Sequence, residues 1–307
     1  MKRMKTTEAV GQVLCHDITQ IIPGVTKDAV FRKGHIIREE DIPVLLSVGK
    51  DSVYIWENDE TMMHENDAAE VLYRMTANEH MHPSDVKEGK IEAIADTEGL
   101  LKVDREKLKK VNAFGEMMIA TRHGNTVVKK GDKLAGTRII PLVIKKDKMQ
   151  EAEKICDGTP ILKILPFTVK KAAIITTGNE VYHGRIKDAF TPVIEQKIAE
   201  FGAEMMFHEI FDDNDRKITD GCLRAIEAGA DIVFCTGGMS VDPDDKTPLA
   251  IKNTGAEMIS YGSPVLPGAM FLLSYYRKGD KVIPICGLPG CAMYNRRTIF
   301  DLVLPRL

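Results

Sequence analysis

Residues 171–180 read KAAIITTGNE, an unbroken apolar run that ends in a Thr-Thr-Gly turn. Alternation is missing, so the run fits a strand covered on both faces. The following sequence repeats the theme. Thr191-Pro192 opens a helix, with threonine as its cap and proline in its first turn. Ile194, Ile198 and Phe201 share one face of it, and Gly202 ends it. Residues 203–210 (AEMMFHEI) and 231–235 (DIVFC) are further strands, separated by a helix through Gly221 to Ala228 that stops at Gly229. A second helix start at Thr247-Pro248, a strand at 281–286 (KVIPIC) and a final helix at 291–304 (CAMYNRRTIFDLVL) complete the series. Strands alternating with helices define an α/β fold: a three-layer domain over residues 168–307 whose mostly parallel sheet is covered on both sides.

Four loops rich in glycine or aspartate each follow a predicted strand directly. They are Thr176-Thr177-Gly178-Asn179-Glu180, Asp212-Asp213-Asn214-Asp215, Thr236-Gly237-Gly238-Met239-Ser240 running on to Asp242-Pro243-Asp244-Asp245, and Gly287-Leu288-Pro289-Gly290. In a parallel sheet all four lie at the carboxyl ends of the strands, the edge where such sheets bind ligands. Thr236-Gly237-Gly238 can curl its N–H groups around an anion, and Thr177 and Ser240 add hydroxyl donors. Phosphate is the natural guest near a helix start. Taken alone, a Thr-Gly-Gly is more often a plain tight turn. The aspartates would repel phosphate unless Mg²⁺ bridged the two, since that ion takes one or two carboxylates plus phosphate oxygens. The plainer reading of Asp212 to Asp215 is a cap on the next helix, strongest at Asp215.

Upstream the pattern is less regular. Residues 1–60 form an α+β region: residues 10–18 (VGQVLCHDI) and 52–56 (SVYIW) look extended, and residues 38–49 hold a short helix closed by Gly49. Residues 61–167 combine a helix carrying Ala68, Val71, Leu72 and Met75 on one face with a β-rich stretch, then a linker bracketed by Pro160 and Pro166. The β-rich stretch turns at Gly124-Asn125 and Gly131-Asp132. Arg122-His123-Gly124-Asn125 reads as a hairpin turn or as a cationic loop facing an anion. His80 and His82 make an isolated His-x-His, and Arg296 and Arg297 fit the surface of the last helix.

A chain of 307 residues exceeds what one core usually organises, and 44% hydrophobic with 28% charged residues is ordinary globular composition. A net charge of −3 offers no basic surface for nucleic acid or an anionic membrane. No apolar run of about 18 residues exists to span a bilayer. The basic N-terminus lacks a signal peptide's apolar stretch, so the cytoplasm is the default compartment. The six cysteines form no Cys-x-x-Cys pair, and Cys15, Cys222, Cys235 and Cys286 sit in apolar surroundings as buried free thiols.

The C-terminal loops resemble those of the molybdopterin-binding domain shared by bacterial molybdopterin molybdotransferases and adenylyltransferases. Ile175 to Val181 matches the family's first motif, Gly184-Arg185-Ile186-Lys187-Asp188 its Gly-x-Ile-x-Asp segment, and Asp212-Asp213 its acidic pair. Thr236 to Ser240 matches the third motif, followed by Asp245-Lys246-Thr247-Pro248 as in adenylyltransferases. Val265-Leu266-Pro267-Gly268 and Gly287-Leu288-Pro289-Gly290 are similar to molybdotransferase segments, with Leu266 replacing a lysine and Cys291-Ala292 an Asn-Pro. Residues 31–37 and 41–49 resemble part of the molybdotransferase N-terminal half. The resemblance implies a Mg²⁺-dependent transferase that inserts molybdate into molybdopterin or its adenylylated form. It implies ligand contacts at Thr177, Gly178, Glu180, Thr236, Gly237, Gly238, Ser240, Gly287, Pro289 and Gly290. It implies metal ligands at Asp212, Asp213 and Asp245, with Asp212 and Asp245 catalytic. A homo-oligomer, and a molybdoenzyme as partner, accord with the same likeness. The alternatives are a non-catalytic molybdopterin carrier, maturation partner or sensor, and hydrolysis of nucleotide pyrophosphates.

Overall fold

The computed structural model describes residues 1–22, 26–55 and 59–307. The chain divides into two compact units, Met1–Ile164 and Leu165–Leu307.

The first unit has two separate cores. One gathers Leu14, Ile18, Ile37, Leu45 and Val53. Its helix Asp41–Ser47 is followed by Gly49 at φ +76°, as its sequence predicts. Residues 10–18 are less regular than expected: Val13 and Leu14 make only isolated bridges, and the strand begins at Ile18. The strand Ser52–Ile55 forms, while Trp56, read as its end, lies outside the described residues. The second core packs the helix Glu65–Thr76 through Ala68, Val71, Leu72 and Met75. It lies against an antiparallel sheet ordered Met81–Pro83, Lys90–Ala95, Lys133–Ile139, Met117–Thr121. Residues 160–166 are not a bare linker, because Leu162–Leu165 is a strand beside Gly99–Val103, with Leu162 and Ile164 buried.

The second unit is built on strands β1 (Lys171–Thr177), β2 (Glu204–Phe211), β3 (Ile232–Thr236), β4 (Glu257–Tyr261), β5 (Leu272–Lys278) and β6 (Lys281–Leu288). Their order in the sheet is β2-β1-β3-β6-β5-β4. The first four run parallel, and β5 and β4 extend the sheet antiparallel. Burial on both faces explains the apolar runs: Ala173 and Ile175 enter one core with Ile218, Val233 and Ile251, while Ala172 and Ile174 enter another with Ile198, Phe234 and Phe300. Helices α1 (Asn179–Tyr182), α2 (Phe190–Ala199), α3 (Asp215–Glu227), α4 (Thr247–Asn253), α5 (Cys291–Tyr294) and α6 (Ile299–Val303) complete the layers.

Several local expectations change. Thr191 does not cap α2; Asp188 does, its Oδ1 accepting from the N–H groups of Phe190 at 2.8 Å and Thr191 at 3.2 Å. The final helix is two short ones, because Thr298 and Asp301 form a capping box that starts the chain afresh at α6. Asn214, not Asp215, caps α3. Gly221 lies under the end of β2, where a Cβ would stand 2.5 Å from the Phe211 ring, over which the Arg224 guanidinium lies at 5.8 Å. Cys15, Cys222, Cys235 and Cys286 are buried, as expected. Among the described residues no helix is long and apolar enough to cross a membrane.

Candidate functional site

β3 runs into Gly237 and Gly238 at φ +82° and +55°, values that favour glycine. Space demands glycine as well: a Cβ on Gly237 would lie 2.2 Å from the Thr177 carbonyl oxygen, and one on Gly238 2.9 Å from Thr247 Oγ1. Among the described residues the N–H groups of Gly238, Met239 and Ser240 have no acceptor. Three consecutive amides of this kind on a curled turn are able to accept an anion. Thr177 plays a different part from the one its sequence suggests. It is 3% exposed, and its hydroxyl donates to the Thr236 carbonyl at 3.0 Å, so it is no donor to a ligand. Thr236 is fully buried, with its Oγ1 unpartnered. Ser240 is exposed, and its carbonyl and that of Met239 accept from the Tyr261 hydroxyl at 3.5 and 3.1 Å.

The other loops take up distinct places on this edge. Gly287 is a packing residue inside β6: a Cβ there would meet Met239 Cε at 2.5 Å. Pro289 is buried, and Gly290 is exposed with nothing within 4 Å of where a Cβ would be. Gly178, at φ +134°, precedes α1, and the Glu180 carboxylate lies against it.

Acidic groups from three loops lie near enough for their charges to act on Asp213. Asp213 Oδ2 accepts from the Asn179 N–H at 3.0 Å. Burial pushes its carboxyl up from the ordinary value; that N–H opposes the rise, and the charges of Glu180, Asp244 and Asp245 add to it. Asp245 Oδ2 accepts from the Asp242 N–H at 2.9 Å and closes its own loop. Asp212 accepts from Lys217 Nζ at 2.7 Å through Oδ2, whereas its Oδ1 is buried without a partner. Among the described residues no three Asp, Glu, His or Cys side chains converge as metal ligands. This donor set therefore makes no closed cage. The orphaned Asp212 oxygen and the uncompensated charge around Asp213 fit Mg²⁺ when ligand oxygens complete its shell.

Behind the first loop lies a polar network that strand and turn patterns do not reveal. Asp188 Oδ2 accepts from the hydroxyls of Thr191 at 2.5 Å and Thr176 at 3.1 Å, and His208 Nε2 lies 3.1 and 3.2 Å from the same hydroxyls. Burial raises the Asp188 carboxyl, but the Thr191 hydroxyl, the N–H groups of Thr191 and Phe190, and Thr176 hold it below the usual carboxylate value. The Gly-x-Ile-x-Asp spacing was the available signal. Elsewhere, Arg122 forms a two-point ion pair with Asp132 at 2.9 and 3.1 Å, which favours the hairpin reading over a cationic loop. His82 binds Asp96 at 2.6 Å. Arg297 is a surface residue paired with Asp301 and Glu200.

Residues 173–307 match the family described as "Probable molybdopterin binding domain". Residues 3–57 match a domain of unknown function. A Bacillus cereus (strain B4264) protein named as competence-damage inducible is 30% identical over 129 residues, which are 42% of this chain and 30% of the relative. The chain thus spans less than a third of that relative's length. Similar solved structures include the tungsten cofactor synthesizing protein MoaB from Pyrococcus furiosus, 19% identical over 46% of this chain and 92% of that one, with TM-score 0.36. Another is a molybdenum cofactor biosynthesis protein from the same organism, 11% identical over 99% of this chain and 61% of that one, with TM-score 0.27.

Proposed function

We propose that the edge at Gly237-Gly238 binds the phosphate of molybdopterin, or of its adenylylated form, and that the protein inserts molybdate there. The observation that carries this reading is the row of acceptor-free amides at Gly238, Met239 and Ser240, inside a segment that matches a molybdopterin-binding family. The exposed Ser240 hydroxyl adds a donor. Asp212, Asp213 and Asp245 are the residues that would hold Mg²⁺, and Lys217 fixes the orientation of Asp212. The ion, when bound, supplies charge neutralisation at the phosphate. On this reading the protein works in the cytoplasm as a homo-oligomer and serves a molybdoenzyme.

Purified protein given adenylylated molybdopterin, Mg²⁺ and molybdate should release AMP and yield molybdenum cofactor. Asp245→Asn keeps an acceptor for the Asp242 N–H but removes a charge, so it should lower that yield by about 10²-fold. Undiminished yield would remove Asp245 from the reaction. The second reading, a non-catalytic molybdopterin carrier, draws on one feature: Cys291 begins α5 immediately after Gly290, so no amide side chain stands where molybdotransferases place one. Ligand binding without AMP release would select it.

A further inference from the structure

Thr177 and Thr247 are 70 positions apart in sequence, yet their Oγ1 atoms lie 3.0 Å from each other. The Thr177 hydroxyl is also 3.0 Å from the Thr236 carbonyl oxygen. A threonine hydroxyl carries one proton, and a carbonyl oxygen can only accept. The Thr177 proton therefore points to Thr236. Thr247 must in turn donate to Thr177, because the Thr177 proton is already engaged. Both residues are buried, at 3% and 0% exposure, so water does not compete for these bonds. The chain of hydrogen bonds runs one way: Thr247 to Thr177 to the Thr236 carbonyl.

This chain surrounds the glycine turn. Thr247 Oγ1 and Thr177 Oγ1 lie 2.9 and 3.4 Å from the place where a Gly238 Cβ would be. The Thr247 N–H donates to the Gly238 carbonyl at 3.2 Å. The carbonyls of Thr236 and Gly238 are thus both tied to the threonine pair, and among the described residues the amides of Gly238, Met239 and Ser240 have no acceptor. We propose that Thr177 and Thr247 form a one-way hydroxyl relay that holds the Gly237-Gly238 turn in its anion-accepting shape, both acting as positioning residues. The proposal rests on the phosphate reading for its ligand, and on hydrogen-bond geometry alone for the relay.

The test uses the full chain, with inorganic pyrophosphate titrated by calorimetry and amide exchange of Thr247 followed by NMR. Thr247→Val should bind pyrophosphate about tenfold more weakly and lose a similar factor of protection at residue 247. Thr247→Ser keeps the hydroxyl and should restore both. Because the relay is a series, Thr177→Val combined with Thr247→Val should weaken binding no more than Thr177→Val alone. Unchanged protection and affinity in Thr247→Val, or no rescue by serine, would overturn the relay. Lost protection with unaltered pyrophosphate affinity would overturn its positioning role. If the native chain binds no pyrophosphate while protection still falls with valine and returns with serine, the phosphate reading fails and the relay stands.

Discussion

Gly237 and Gly290 both stand in loops at strand ends, yet a methyl group meets opposite surroundings at the two. At Gly237 it would lie 2.2 Å from a backbone oxygen, on a residue at positive φ. At Gly290 it would meet open space at φ −51°. Gly237→Ala should cost about 2–4 kcal/mol in chemical denaturation and abolish phosphate binding. Gly290→Ala should change stability by less than about 0.5 kcal/mol. Equal effects at the two positions would refute this assignment of roles. The sequence marks both as glycine turns and cannot separate them, since the difference lies in what crosses over each. The same limit hid the engagement of Thr177: its partner Thr247 comes from another loop, and no local pattern announces the pair. The aspartates were legible as loop residues, but the Lys217 contact that engages one oxygen of Asp212 was not.

Among the elements, α6 shows how a start signal can hide inside an apolar run. The stretch from Cys291 to Leu304 has helical periodicity, but Thr298-x-x-Asp301 spells a capping box, and the structure obeys the cap. Asp301 does more than cap. Lys197 of α2 donates to it, and the two side chains are only 9% and 4% exposed. Burial raises the Asp301 carboxyl, but the Lys197 ammonium and the Thr298 N–H outweigh it and hold the group below the ordinary value. A depressed carboxyl contributes stability that is present above the unfolded value near 3.9 and is lost as pH falls through the folded one. Asp301→Asn leaves the lysine buried without its counter-charge and should cost about 3–5 kcal/mol at pH 7. The gap to the native chain should narrow below about pH 4 in thermal melts. A gap independent of pH would mean that the pair is not ionic. β4 escaped the sequence for a different reason. Every residue of β4 is exposed, so it has no buried face to write a period of two into the chain.

The whole molecule parts after Ile164, and the C-terminal unit draws both of its cores from its own residues, between Ala172 and Phe300. A fragment covering residues 165–307 should therefore melt cooperatively and bind pyrophosphate with the affinity of the full chain. A fragment that is unfolded by circular dichroism would show that the unit depends on residues outside it. The fold of this half was legible because burial on both faces of a parallel sheet leaves continuous apolar runs. The first half was harder: its strands are mostly short and its elements divide between two cores. Gly221 acts beyond its own helix. Phe211 ends β2 in the notch this glycine leaves in α3, and Asp212 and Asp213 come next in the chain. The ring thus works like a pivot pin, and the notch sets how far it seats. Any larger residue at position 221 would lever the pin outward and swing two carboxylates with it, so a lineage can re-aim its acidic rim from inside a helix without altering one rim residue.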